Sequence, residues 1–142
     1  MKKSVIIAAC LIVVAIAGAY FLQTDNNVEK TGIWKDAKYV KDTEIGKGEK
    51  TVITEVRAGD NSVEFTIHTD KETLGEALTE HKLIEGEKGP YGLYVKVVNG
   101  IRADYDEDKS YWSLTKKGEP VTTGVDSTKI ADNEHYELVY TK

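Results

Sequence analysis

Hydrophobic and polar residues alternate along the chain from Thr51 onward, a pattern typical of strands with one buried face. In the first such segment, residues 52, 54 and 56 share one side of a strand. The turn residues 59–62 follow, and then Val63, Phe65 and Ile67 share one side of a second strand. Together the two segments predict a β-hairpin.

Several more strands are predicted in the second half of the chain. Apolar residues alternate with other residues over positions 93–97, and Asn99-Gly100 follows as a strong hairpin turn signal. Residues 101–103 are then expected to form the returning strand of this hairpin. Further strands are expected at residues 111–116, 119–123 and 136–140, and the last of these lies close to the end of the sequence.

One helix is predicted between the two groups of strands. Thr73 and Glu76 have the spacing of a capping box, and Leu74, Ala77 and Leu78 follow at helical spacing. The helix is expected to run from about Leu74 to Lys82.

This order of elements predicts the α+β class, with a small β-grasp-like mixed sheet and one packed helix. A single helix covers one face of a sheet. The other face must therefore meet solvent, a partner or a ligand.

The N-terminus carries an apolar segment that predicts an additional helix. Lys2 and Lys3 precede residues 5–22, which are uncharged and, as a helix about 27 Å long, could cross a membrane. Residues 17–19 also resemble a signal-peptidase site, so residues 1–22 are either a signal peptide or a retained anchor. Both interpretations place residues 23–142 outside the cytoplasm, secreted or anchored to the membrane.

Residues 23–50 are mostly polar and predict a spacer, with the folded domain at residues 51–142.

The chain has 19 basic and 24 acidic residues and a net charge of −5, with no basic cluster in the exported part. Nucleic acid is therefore not an expected partner. The single cysteine excludes an intramolecular disulfide and a zinc site built on several thiolates.

No hydrolase, nucleotide-binding or metalloprotease motif occurs, so the chain is not expected to be an enzyme. The three histidines, His68, His81 and His135, are scattered along the sequence. Nothing in the sequence indicates that they converge, and we expect them to be solvated surface groups.

An acidic segment offers a candidate metal site. Asp104, Asp106 and Asp108 repeat the start of a calcium loop, but Lys109 and Thr115 stand where an EF-hand needs glycine and glutamate. Two interpretations stay open: a structural turn with its carboxylates in water, and a calcium site.

Aromatic residues are frequent in the same region: Tyr91, Tyr94, Tyr105, Tyr111 and Trp112. Tyrosine and tryptophan suit ligand sites because they combine an apolar face with a polar group. The alternative is that Trp112 and some of the tyrosines fill the core.

The order of several short segments resembles the transcobalamin-like C-terminal domain, a family of exported domains that is frequent in Gram-positive bacteria. These segments include Tyr91-Gly92-Leu93-Tyr94-Val95 and Val98-Asn99-Gly100-Ile101. The others are residues 65–78, 83–86, 103–105, 111–112 and 124–126. The resemblance covers about residues 34–142.

The resemblance implies a small β-rich fold with one helix that caps cobalamin from one side. In the animal cobalamin carriers a larger helical domain holds the other side, so a separate helical partner would complete such a site. No cofactor is required, and cobalamin is a candidate ligand. Carried over residue by residue, the ligand-binding candidates are Tyr91, Gly92, Leu93, Tyr94, Tyr111, Trp112 and Thr123.

The expected function is therefore an extracytoplasmic, non-catalytic module that binds a corrinoid or another flat, partly apolar molecule. A protein-interaction module on the cell surface is the alternative, with an exported protein as partner. A calcium-binding surface domain is a weaker alternative.

Overall fold

A computed structural model of the chain describes residues 27–90 and 92–142. The signal peptide or anchor expected at residues 1–22 and the ligand role expected for Tyr91 lie outside the described residues. Within those described ranges, no helix has both the length and the apolar character needed to cross a membrane.

The elements follow the order strands, helix, strands, which confirms the α+β class. Two 3-10 turns lie at Gly32–Trp34 and Val125–Ser127. The helices are α1 (Leu74–Glu80) and the short α2 (Tyr105–Asp108). The strands are β1 (Thr43–Gly46), β2 (Lys50–Ala58), β3 (Asn61–Thr69), β4 (Ile84–Gly89), β5 (Gly92–Val98), β6 (Ile101–Arg102), β7 (Tyr111–Lys116), β8 (Glu119–Pro120) and β9 (Glu134–Thr141).

The larger sheet is mixed and has the order β1-β3-β2-β9-β7-β8. The predicted hairpin is the antiparallel pair β2 and β3. The C-terminal strand β9 lies between β2, to which it is parallel, and β7, to which it is antiparallel. A parallel pair needs a long crossover connection, and here that connection contains α1 and the second sheet.

The second sheet has three strands in the order β4-β5-β6. Its hairpin β5-β6 turns at Asn99-Gly100, as the sequence predicted. The sequence did not predict that β4 to β6 form a sheet of their own, because alternation indicates a strand but not its pairing partner.

Helix α1 begins as predicted, and its first turn is capped by Thr73, whose Oγ1 accepts a hydrogen bond of 3.2 Å from the Glu76 amide. It ends at Glu80, two residues before the predicted end. Lys82 has a φ of +58°, and the Leu83 amide donates to the Leu78 carbonyl at 2.9 Å, so the chain closes the helix with a left-handed turn.

The core lies between α1 and one face of the larger sheet. Leu74, Ala77 and Leu78 of the helix belong to the same buried cluster as Val52 and Val56 of β2. The opposite face of this sheet is composed of the alternate, partly exposed residues of β2, β3 and β9. We call it the open face.

Residues 27–50, for which the sequence predicted a polar spacer, join the fold. Val28, Trp34 and Ala37 are buried in the core, and β1 pairs in parallel with β3. The Trp34 indole Nε1 donates a hydrogen bond of 2.9 Å to the Ala58 carbonyl at the end of β2. A few separated apolar residues carry no periodic signal, so the pattern could not show that they reach the core.

Candidate ligand-binding groove

A groove with a volume of about 430 Å³ lies beside the outer face of α1. The β4-β5 hairpin and the 3-10 turn at Val125–Ser127 form its other sides. This volume falls within the range of small-molecule sites. The groove is lined by Lys71, Gly75, Glu76, Thr79, Glu80, Lys88, Leu93 and Asp126.

Asp126 ties the walls of the groove together. Its Oδ2 accepts a hydrogen bond of 3.0 Å from the Leu93 amide at the start of β5. The Lys88 Nζ lies 3.9 Å from the same oxygen. The hairpin is therefore held against the 3-10 turn by one carboxylate.

Gly75 allows α1 to approach that turn closely. A Cβ on Gly75 would lie 2.6 Å from Asp126 Oδ1 and 3.1 Å from the carbonyl carbon of Val125. The Leu74 amide also donates to the Thr128 carbonyl at 2.9 Å, which anchors the first turn of the helix there. A glycine inside a helix costs about 1 kcal/mol relative to alanine. The close contact with the turn explains why position 75 is nevertheless a glycine.

Replacing Gly75 with alanine is expected to destabilise the fold by about 1–3 kcal/mol, because the added methyl group must displace the turn or Asp126. Urea unfolding of the full chain measures the change. Gly89→Ala is the matched control, since its nearest neighbour would be 3.7 Å away. Equal stability of the two variants would show that α1 and the turn are not in tight contact.

The lining of the groove is chemically mixed. Lys71 and Lys88 offer donors, while Glu76, Glu80 and Asp126 offer acceptors, with Leu93 as an apolar contact. Such a surface suits a ligand that carries both donors and acceptors around an apolar centre. It does not favour a strongly charged ligand of either sign.

The second half of the chain matches a known family. The family model "Domain of unknown function (DUF4430)" matches residues 71–142. The chain belongs to the DUF4430 family. The match begins at Lys71, so the DUF4430 region contains every residue that lines the groove.

Several solved structures are similar to this DUF4430 chain. A candidate metal-binding protein from Ruminococcus gnavus ATCC 29149, with a crystal structure at 1.30 Å, is 37% identical, with a TM-score of 0.63. The similarity covers 66% of this chain and 98% of that protein. No curated protein matches the chain.

Haptocorrin in complex with Cbi is another similar structure, with 21% identity and a TM-score of 0.56. The similarity covers 66% of this chain and 25% of haptocorrin, so the DUF4430 chain spans about a quarter of that protein. At this identity the likeness shows a shared fold. It supports the transcobalamin-like resemblance at the level of the fold.

Two of the ligand-binding residues expected from the sequence lie at the groove. Leu93 lines it, and Gly92, with a φ of +103°, lies against Asp126, where an added Cβ would be 3.4 Å from Oδ2. Tyr94 is the next residue of β5 and is 47% exposed. Since side chains alternate along a strand, Tyr94 faces away from Leu93.

The structure does not bring the other three candidates to the groove lining. Trp112 is 8% exposed, and its Nε1 donates to the Ile101 carbonyl at 3.2 Å, so it fills the core. Tyr111 packs edge-on against Tyr105, with 6.3 Å between the ring centroids. The Thr123 hydroxyl is 2.8 Å from that of Thr128.

The acidic segment forms a capped turn. Asp104 is the N-cap of α2, and its Oδ1 accepts a bond of 3.1 Å from the Asp106 amide. Although desolvation acts to raise the pKa of Asp104, hydrogen bonds from Arg102 and from two backbone amides lower it. Hydrogen bonds from the hydroxyl and amide of Ser110 lower the pKa of Asp108. These bonds use carboxylate oxygens that a cation would need, and calcium binding here stays a prediction.

Sequence reasoning missed most of the groove. Its residues come from the segment before α1, from α1, β4 and β5, and from a turn more than thirty positions beyond β5, as the Leu93 to Asp126 bond shows. One signal was present. Gly75 within a predicted helix indicates a close contact on that face.

Proposed function

We propose that this DUF4430 chain is a non-catalytic ligand-binding module that holds a corrinoid, or another flat and partly apolar molecule, in the groove beside α1. The observation that supports this proposal is the groove itself, with a volume of about 430 Å³ and a mixed lining. The resemblance of the sequence to cobalamin-capping domains suggests the ligand class.

The chemistry of the lining fits a corrinoid. A corrinoid ring carries carboxamide groups around its rim, and each carboxamide both donates and accepts hydrogen bonds. The Lys71 and Lys88 ammonium groups would donate to the amide oxygens. The carboxylates of Glu76 and Glu80 would accept from the amide nitrogens. Leu93 and the aliphatic stems of the lysines would contact the ring.

The haptocorrin likeness supports a corrinoid, because that protein is known in complex with Cbi. The groove is open and would cover one side of such a ligand. Because affinity depends on buried area and on desolvation, we expect binding by this chain alone to be weak. A helical partner that covers the other side would strengthen it.

The site of action proposed for this module is outside the cytoplasm. Residues 5–22 would serve as a signal peptide or as an anchor, which would leave the groove at the cell surface or in the secreted protein. Mass spectrometry of the mature N-terminus distinguishes these two cases.

Calorimetric titration of the full chain with cobinamide tests the proposal. We expect saturable binding with one site per chain and a Kd on the order of micromolar to tens of micromolar, as for an open site of this size. Thr79→Trp places a bulky side chain in the groove from the exposed face of α1 and is expected to weaken binding at least tenfold.

The control is Glu107→Trp, which adds the same side chain to the exposed face of α2, and it is expected to bind like the wild type. Absence of heat at several hundred micromolar cobinamide would contradict a corrinoid ligand. Equal binding by Thr79→Trp and Glu107→Trp would contradict the groove as its site.

A second candidate function is docking of a protein. The exposed pair Tyr105 and Tyr111 favours it, because tyrosines are frequent in interfaces. Absence of cobinamide binding, together with concentration-dependent dimerisation in sedimentation experiments, would favour docking over the groove.

A further inference from the structure

Glu55, Glu64 and His135 form a cluster on the open face of the larger sheet. Each offers one ligand atom, and these three atoms lie within 4.8 Å of one another. The groove is formed by the outer face of α1, on the other side of this sheet. The cluster is therefore separate from the proposed ligand site.

Strand pairing brings these residues together. The antiparallel register places Glu55 of β2 directly opposite Glu64 of β3. The parallel register pairs Ile53 of β2 with His135 of β9, so His135 lies diagonally beside Glu55. All three side chains alternate with core residues and share the open face.

The arrangement carries an electrostatic cost within the protein. Like charges directly opposite each other on neighbouring strands are destabilising. Desolvation raises the pKa of Glu64, and the nearby Asp42 and Glu55 carboxylates raise it further, while the nearby His135 lowers it. Arg57 forms an ion pair with Glu55. In the described part of the chain, no hydrogen bond or ion pair of the Glu64 carboxylate offsets this cost.

His135 supplies an independent sign of a missing partner. Its Nε2 is buried, and among residues 27–90 and 92–142 it has no hydrogen-bond partner. A buried imidazole nitrogen normally has a partner, because leaving it without one costs about 1–3 kcal/mol. An imidazole nitrogen and two carboxylates are a donor set that binds divalent transition metals.

We propose that Glu55, Glu64 and His135 bind one divalent transition-metal ion of the zinc type. Zinc with three protein ligands leaves a fourth position for water. Ligand atoms about 2.1 Å from zinc are about 3.4 Å apart in a tetrahedral site, so ligand atoms that lie within 4.8 Å of one another must approach by up to about 1.4 Å. Rotation of the two glutamates can supply this movement. The ion would neutralise the opposed carboxylates and pair with the imidazole.

The test is a titration of the metal-free full chain with zinc chloride, in which calorimetry measures binding and thermal melting measures stabilisation. We expect one zinc ion per chain and a melting temperature that rises with zinc and falls again with EDTA. His135→Gln and Glu64→Gln are each expected to weaken zinc binding at least tenfold. Cobinamide binding should be unchanged in both variants, so failure of one proposal leaves the other testable.

His68→Gln is the matched control. His68 lies on the same open face and contacts Glu44 at 2.5 Å, but it is not part of the cluster. It should bind zinc like the wild type. If His68→Gln lost as much zinc affinity as the cluster variants, or if neither cluster variant lost any, the proposal would be overturned and the binding would be adventitious surface binding.

Circular dichroism and metal-free melting of each variant show whether it folds. Glu64→Gln removes a repulsion and is expected to fold at least as well as the wild type, so it keeps the test valid if His135→Gln does not fold. A rise in melting temperature with calcium, and none with zinc, would overturn the assignment to a transition metal.

Discussion

Replacing Trp34 with alanine is expected to lower the free energy of unfolding by about 3–5 kcal/mol. The Trp34 side chain is 1% exposed, and its Nε1 donates to the Ala58 carbonyl. The substitution would leave a large cavity and also remove the partner of a carbonyl at the end of β2. Urea unfolding of the full chain, followed by circular dichroism, measures the change.

Ile33→Ala is the control, because Ile33 is the neighbouring residue but is 38% exposed. It is expected to cost less than about 1 kcal/mol, as is usual for exposed positions. If Trp34→Ala were equally mild, residues 27–50 would be a peripheral spacer, as their polar composition suggested, and not part of the core.

Asn99→Ala is expected to destabilise the fold by about 2–5 kcal/mol, since it removes the hydrogen-bond partners of both backbone groups of the partly buried Tyr39 and keeps a strained backbone. The Asn99 Nδ2 donates to the Tyr39 carbonyl, and its Oδ1 accepts from the Tyr39 amide, each at 2.9 Å. Asn99 is fully buried and has a φ of +53°. Thermal and urea unfolding measure the loss.

Asn133→Ala separates the backbone cost from the hydrogen bonds. Asn133 has a φ of +70°, but it is exposed, and its side-chain bond of 3.5 Å to Asp132 is long. It is expected to cost about 1–2 kcal/mol from the left-handed conformation. A loss of the same size in both variants would mean that the Asn99 side chain does not connect residue 39 to the β5-β6 turn.

The elements that depend on local signals were predictable from the sequence. The β2-β3 hairpin follows from alternation and a turn, and the start of α1 follows from Thr73 and Glu76. The turn at Asn99-Gly100 was equally clear. These features depend on continuous stretches of the chain about 11–18 residues long, the window over which hydrophobic periodicity and its flanking turn signals carry information.

The features that depend on distant pairing were not predictable. Trp34 lies in the core, where its indole Nε1 donates to the carbonyl of Ala58, 24 positions further along the chain. The parallel β2-β9 register decides which residues of these strands lie beside one another on the open face. His135 was expected to be a solvated surface group, yet this register places it beside two glutamates. For the same reason Leu93 could be connected to Asp126 only once the fold was known.

The central claim is that the groove beside α1 binds the ligand, and an amide NMR titration of the full chain with cobinamide tests it most directly. We predict that the largest shift changes occur at the amides of Gly75, Thr79 and Leu93, with little change along β2. Shift changes confined to the strands of the open face, or none at saturating cobinamide, would contradict the claim.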